Sequence, residues 1–235
     1  MTILWKGVMK TENLEIYLYD DIEADGEGWF GEAIESETSA KSVHKQLDEV
    51  EPNTPISLHI NSYGGDVKEG AAIYSLLKLH SGPVTVYVDG FACSAASLIA
   101  MAGDKVIMGK LAMMMIHNAW TVAAGNAKEL RKAADDLDKI STTMSLAYKE
   151  RCGDKLPEDK LKSMLDEEVW LDAEECVALG FADEIAGKPA AEGLAKAKAA
   201  AVSSFRKKVP QPTNAEAKNN AERLMRAFKK MEVVK

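Results

Sequence analysis

ISLHINSYGGDVKEGAAIYSLLKLHSGPVTVYVDGFACSAAS, residues 56–97, decides the fold. It opens on a short alternating run (56–60), breaks at Gly64-Gly65, and resumes with Ala71, Ala72, Ile73, Leu76 and Leu77 at helical spacing. Ser81-Gly82-Pro83 punctuates, and Val84-Thr85-Val86-Tyr87-Val88 is a β-rich run. The glycine pair can adopt positive φ, so the turn into the first helix can be tight. A second handover follows at Gly90–Ser97, where small residues lead into a helix expected from about Ser94 to Ala102, ending at Gly103.

Upstream, residues 14–22 alternate as a first strand, Gly26, Gly28 and Gly31 break the chain, and residues 39–51 suit a helix with Val43 and Leu47 inward, ended by Pro52 and Pro55. Downstream, short strands are expected at 105–108 and 113–117. Residues 126–151 form a long amphipathic pattern through Leu130, Ala133, Leu137, Ile140 and Met144, continued by Leu146 or Ala147. A helix that long cannot be buried end to end in a domain this small, so part of it should project. A short helix (158–165) and a strand (169–171) follow, and Asp172 is placed to cap a helix that stops at Gly180. The β-α-β-α-β alternation implies an α/β fold with right-handed crossovers onto a largely parallel sheet.

The chain of 235 residues is 46% apolar and 28% charged, enough for one sizeable core. Its net charge of −8 argues against a nucleic-acid-binding body. The charge is uneven: residues 186–235 hold 12 Lys/Arg against 4 Asp/Glu, and the preceding residues hold 17 against 33. The division expected is a catalytic-type domain at 1–187 and a basic, Ala/Lys-rich C-terminal tail at 188–235. Within that tail, 190–201 is Ala/Lys-rich, 209–214 is Pro-containing linker, and 215–231 suits a basic helix with Leu224, Phe228 and Met231 on one face. An acidic body with a basic tail suggests a segment that contacts an acidic partner. Three cysteines (Cys93, Cys152, Cys176), odd in number and without metal-ligand spacing, fit a reducing compartment. The first six residues are too short an apolar run for a signal peptide, and no stretch approaches a membrane span. A cytoplasmic protein with no metal, organic cofactor, nucleic-acid or membrane partner is expected.

Serine hydrolysis needs an activated hydroxyl, a neutral imidazole to take its proton, a group to orient that imidazole, and donors for the oxyanion. Ser94 sits where a strand hands over to a helix, among residues small enough to let a carbonyl approach, and the helix start adds positive potential. It also reads as a simple N-cap, and Ser97 or the thiol of Cys93 remains an alternative. Four histidines (His44, His59, His80, His117) compete as base on sequence alone, and Asp166, Glu167 and Glu168 form an acidic turn before a strand. Gly64-Gly65 can be a plain turn or can aim a backbone N–H into a site.

From about Ile56 to Ile185 these motifs, in this order, resemble the caseinolytic ClpP serine proteases. Asn61-Ser62-x-Gly64-Gly65 is similar to that family's glycine motif, Gly90-x-Ala92-x-Ser94 to its nucleophile motif, and Met115-Ile116-His117 to its Met-Ile-His motif. The resemblance implies Ser94 as nucleophile, His117 as base, and the backbone amides of Gly65 and Ala95 as oxyanion hole. Aligned through Trp170-Leu171-Asp172-Ala173-Glu174, it puts Glu168 where the family usually has aspartate, with Asp166 as the alternative acid. It further implies a ClpP/crotonase-like spiral of β-β-α units with a projecting handle helix at about 126–151. An acyl-enzyme endopeptidase mechanism and homo-oligomeric rings, a heptamer or double heptamer, are also implied, with a polypeptide substrate and a possible AAA+ unfoldase partner. The N-terminal part and the basic tail look more like the phage and prophage head maturation proteases, which cut capsid or scaffold precursors. The tail is then expected to dock or to be self-cleaved. Rival readings are a crotonase-like acyl-CoA enzyme, sharing the fold but using carboxylates on a thioester, and a catalytically inactive scaffold or shell protein.

Overall fold

A computed structural model describes residues 12–27 and 32–187. The first six residues, the breaks expected at Gly28 and Gly31, and the tail segments at 190–201, 209–214 and 215–231 lie outside the described residues. The elements in chain order begin with β1 (Leu14–Leu18), β2 (Gly26–Glu27), β3 (Ala33–Ile34), α1 (Ala40–Asp48), β4 (Ile56–Ser62) and α2 (Val67–Leu79). Then come β5 (Val84–Cys93), α3 (Ala95–Ala100), β6 (Lys105–Met108), β7 (Met113–Met115) and α4 (Ala127–Cys152). The last are α5 (Glu158–Asp166), β8 (Trp170–Asp172), α6 (Ala173–Leu179) and β9 (Glu184–Ile185).

The main sheet runs β1-β4-β5-β6-β9, and every neighbouring pair in it is parallel. Alternation along its strands sorts the faces: Ile56, Leu58 and Ile60 of β4 and Val84, Val86 and Val88 of β5 are buried, while Ser57, His59, Thr85 and Tyr87 between them are half-exposed. Val43 of α1, Ile73 and Leu77 of α2 and all six residues of α3 complete the core. The α3 helix can be wholly buried because it is small on the side that meets α2. A Cβ placed on Gly70 would stand 3.0 Å from the Ala95 Cβ.

The far end of β5 positions the site. β5 continues past Asp89-Gly90 to Cys93, beyond the expected end at Val88. An irregularity between Ile60 and Ser62 lets pairing resume at Ser62↔Ala92, and β7 then pairs parallel with Phe91–Cys93. The run expected at 14–22 stops at Leu18, because the Ile22 backbone is engaged elsewhere. Its N–H donates to Gly64 O (2.8 Å) and its C=O accepts from Asp66 N (2.7 Å), an isolated bridge beside Gly65. The β2–β3 hairpin and β9 were not legible from periodicity, since two-residue strands carry none.

The long helix α4 is buried only at Ala147, Tyr148 and Cys152; Leu130 and Leu146 are exposed. An asparagine capping box starts it: Asn126 Oδ1 accepts from Lys128 N and Glu129 N, and Glu129 accepts from Asn126 N. Asp172 caps α6 in the same way, exchanging bonds with Glu175 at 2.9 and 3.0 Å, and Gly180 closes it at φ 90°. Asp172→Ala should lower unfolding free energy by about 1 kcal/mol, read as a reduced urea midpoint at unchanged slope.

Candidate active site

Ser94 occupies the cap position of α3 but does not cap it: its backbone is at φ 54°, ψ −125°, and its side chain bonds no helix amide. The contrast is Ser39, whose hydroxyl accepts from Ser42 N at 3.1 Å in the ordinary way. A non-glycine residue at such φ costs roughly 1–3 kcal/mol and persists only where its surroundings hold it. Here Ser94 N donates to Met115 O (2.8 Å), while Ser94 O accepts from Ser97 N (2.9 Å) and Leu98 N (3.2 Å). Gly64, at φ 94°, packs against this turn; a Cβ there would lie 2.5 Å from Cys93 O and 2.7 Å from Ser94 Cβ. Gly65, at φ 147°, has no room either, since its Cβ would fall 2.2 Å from Ile22 O. The glycine pair is required by contact as well as by conformation.

With its hydroxyl released from capping, Ser94 meets His117: Oγ lies 2.7 Å from Nε2. In the tautomer with its proton on Nδ1, the imidazole accepts from the serine O–H. The other three histidines are occupied elsewhere. His80 Nε2 donates to Thr54 O (2.7 Å), His59 pairs with Asp89 (2.7 Å), and His44 sits beside Asp48 (3.1 Å) on the surface of α1. The alternative nucleophiles are also accounted for. Ser97 is fully buried, and its hydroxyl bonds Ser94 O (2.6 Å) and the Tyr148 hydroxyl (2.7 Å). Cys93 is fully buried, and burial pushes its thiol up to about 11.

The acids stand differently. β7 and β8 pair antiparallel with Met115 opposite Trp170, and Ile116 N donates to Val169 O (3.2 Å). The pairing ends there: Glu168 belongs to the preceding turn, its N–H donating to Leu165 O (3.4 Å). Glu168 has φ 53° and an exposed side chain, and among the described contacts neither it nor Asp166 bonds His117. Asp166 instead accepts from Lys162 Nζ (3.0 Å) and Asn118 Nδ2 (2.7 Å). Those bonds, Lys162 first, hold its carboxyl below the usual carboxylate range. Glu167 accepts from Ser163 Oγ at 2.7 Å. The structure therefore brings Ser94 and His117 into contact and leaves both candidate acids apart from the imidazole.

A cleft of about 260 Å³ opens in front of this pair. It is lined by Gly65, Ser94, Ala95 and His117, and by a wall of α4 residues, Ser141, Met144, Ser145 and Tyr148. The loop after His117 is tied to that wall, because Ala119 N donates to Ser141 Oγ at 2.9 Å. Sequence reading missed Tyr148, Ser141 and Asn118; the 3.6-residue period of α4 left Leu146 or Ala147 as its inner residue, of which Ala147 is the buried one, and gave no reason to single out its polar neighbours. Among the described residues no group of His, Cys, Asp and Glu is arranged to hold a metal ion, and no helix is long and apolar enough to cross a membrane.

A family model described as Clp protease matches residues 15–189. The chain is similar to the ATP-dependent Clp protease proteolytic subunit of Bacteroides fragilis, 31% identical over 141 residues that cover 59% of this chain and 67% of that protein. The corresponding subunit of Deinococcus radiodurans is 30% identical over 173 residues, covering 72% of this chain and 83% of that protein. Subunit 1 of Chlamydia muridarum is 28% identical over 163 residues, covering 67% and 84% respectively.

The three cysteines are buried, and burial raises each thiol, Cys152 and Cys176 to about 12. Iodoacetamide at about pH 8 should leave the native protein unmodified and label all three thiols in urea, read by intact mass. Rapid native labelling of Cys93 would return the thiol to contention as nucleophile.

Proposed function

The chain belongs to the Clp protease family, and from that premise we propose that it is a serine endopeptidase working through an acyl-enzyme. The observation that carries this reading is the 2.7 Å contact between Ser94 Oγ and His117 Nε2, made by a serine whose positive φ withdraws it from helix capping. In this mechanism Ser94 Oγ attacks the peptide carbonyl as His117 takes its proton. The amides of Gly65 and Ala95 receive the oxyanion of the tetrahedral intermediate. His117 then returns the proton to the leaving amine, and the C–N bond breaks to leave an ester on Ser94. Water, deprotonated by the same imidazole, hydrolyses that ester. Glu168 is the group we assign to orient His117 through Nδ1–H, on the resemblance aligned through Trp170; Asp166, already bonded to Lys162 and Asn118, is the less favoured acid.

The finer reading follows the same resemblance. We assign 1–187 as the protease domain with a spiral of β-β-α units, α4 as the handle between stacked rings, and 188–235 as a separate basic tail. The exposed Leu130 and Leu146 on α4, with Trp120 and Val122 before it, supply apolar surface that assembly would cover. A polypeptide enters either from an AAA+ unfoldase or as a phage capsid or scaffold protein, the latter favoured by the basic tail, whose 12 Lys/Arg face 4 Asp/Glu from residue 186 onward.

A fluorophosphonate probe should add once to the wild-type protein and not at all to Ser94→Ala or His117→Ala, read by intact mass. An unlabelled wild type, or a labelled Ser94→Ala, would overturn the assignment. On a fluorogenic peptide, Glu168→Ala should lower kcat by on the order of 100-fold or more, with Asp166→Ala costing less than about tenfold. The reverse ranking would transfer the orienting role to Asp166.

A further inference from the structure

Tyr148 is a buried phenol that the mechanism above does not use. It lies on α4 where that helix lines the cleft, edge-on to the fully buried Phe181 (centroids 5.9 Å apart, 64°), and meets Ser97 Oγ at 2.7 Å. Ser97 in turn bonds Ser94 O at 2.6 Å. The direction of this relay is fixed by counting protons. Ser94 O is a carbonyl and only accepts, so Ser97 donates its single hydroxyl proton there. Tyr148 must then donate to Ser97. Burial pushes the phenol up to about 12, which keeps that proton in place across the working range.

The end of the relay matters more than its length. Ser94 O belongs to the same planar, trans peptide group as Ala95 N–H, and the two point in opposite directions. Holding the carbonyl into α3 therefore aims the amide the other way, toward the cleft that Ala95 lines. The carbonyl receives three donors, Ser97 N, Leu98 N and Ser97 Oγ, where an ordinary first-turn carbonyl is satisfied by helix amides alone. Each added donor restrains rotation of this peptide plane at a residue already at φ 54°, and polarises the N–H on its far side.

We propose that Tyr148 is a positioning residue: through Ser97 it orients and polarises the Ser94–Ala95 peptide group, so that the Ala95 N–H binds the oxyanion more strongly than the ground-state carbonyl. This inference rests on the hydrolase reading above and extends it to the helix that forms a wall of the cleft. Its effect falls on the transition state, and removing the relay weakens one donor without deleting it. The loss should be smaller than the roughly 10²–10³-fold seen when an oxyanion donor is removed outright.

Tyr148→Phe keeps the ring and its contact with Phe181 while removing the hydroxyl; Ser97→Ala removes the middle of the relay. Each should lower kcat for a fluorogenic peptide roughly tenfold with KM little changed, and the double variant should match Ser97→Ala alone. Both should weaken a peptide boronate, whose tetrahedral adduct places an oxygen in the oxyanion hole, by the same factor, and leave the affinity of the cleaved product peptide unchanged. Rates are read at a temperature where thermal melts show every variant folded. Additive losses, a KM effect in Tyr148→Phe alone, or equal weakening of boronate and product would overturn the proposal, making Tyr148 a substrate contact or a structural residue. If the wild type neither cleaves peptide nor binds boronate, the hydrolase reading fails with it. If the wild type does both and the variants match it, only the relay fails.

Discussion

Everything at this site depends on the reversed backbone at Ser94. A serine at the start of a helix ordinarily turns its hydroxyl onto the first free amides, as Ser39 does in α1. At φ 54° that geometry is lost, and the hydroxyl is left for His117. The conformation is unfavourable alone, so the neighbourhood must over-determine it. β7 takes the Ser94 N–H through Met115 O, α3 and Ser97 take its carbonyl, and Gly64 and Gly65 keep the facing turn free of side chains. The register irregularity that carries β5 on to Cys93, the β7 pairing, and the small residues of α3 are the supports of this one dihedral angle.

The same economy does not extend to the acid. Asp166 is held ionised by Lys162 and Asn118, and Glu167 is bonded to Ser163, so two of three carboxylates in the turn are committed to its local structure. Glu168, at φ 53° in the turn before β8, has an exposed side chain. A glutamate has one more rotatable bond than an aspartate, so its carboxylate is less closely aimed by its backbone. Ser94 and His117 form their contact without either acid.

The main sheet and its helices were legible from local signals: alternation in 56–60 and 84–88, a 3.6-residue stripe in α2, a helix cap at Asp172. What escaped was set by contacts distant in sequence. Nothing local says that β5 continues through Asp89-Gly90, because the reason lies in the pairing of Ser62 with Ala92 and of Phe91 with Met113. Nothing local says that Ile22 leaves its strand, because its partners are Gly64 and Asp66. At the site, motif order singled out Ser94 and His117 where composition gave two serines, a thiol and four histidines. Tyr148 had no such motif. On a helical wheel it is one more inward residue beside Ala147, and only the meeting of its hydroxyl with Ser97 separates it from packing.

The position of Tyr148 on α4 gives that separation a structural consequence. This helix of 26 residues is one hydrogen-bonded rod, about 39 Å long, rigid along its axis. Its C-terminal end is buried beside Ser97, whereas its N-terminal half is an exposed, mostly charged surface that carries Leu130. Ser141 ties the same rod to Ala119, two residues after His117. The same helix thus touches the nucleophile turn by way of Tyr148 and Ser97, and the loop after the base by way of Ser141. One element therefore lends its buried end both to the core beneath the nucleophile turn and to the wall of the cleft, and a period that predicts only inward and outward faces cannot separate those two uses.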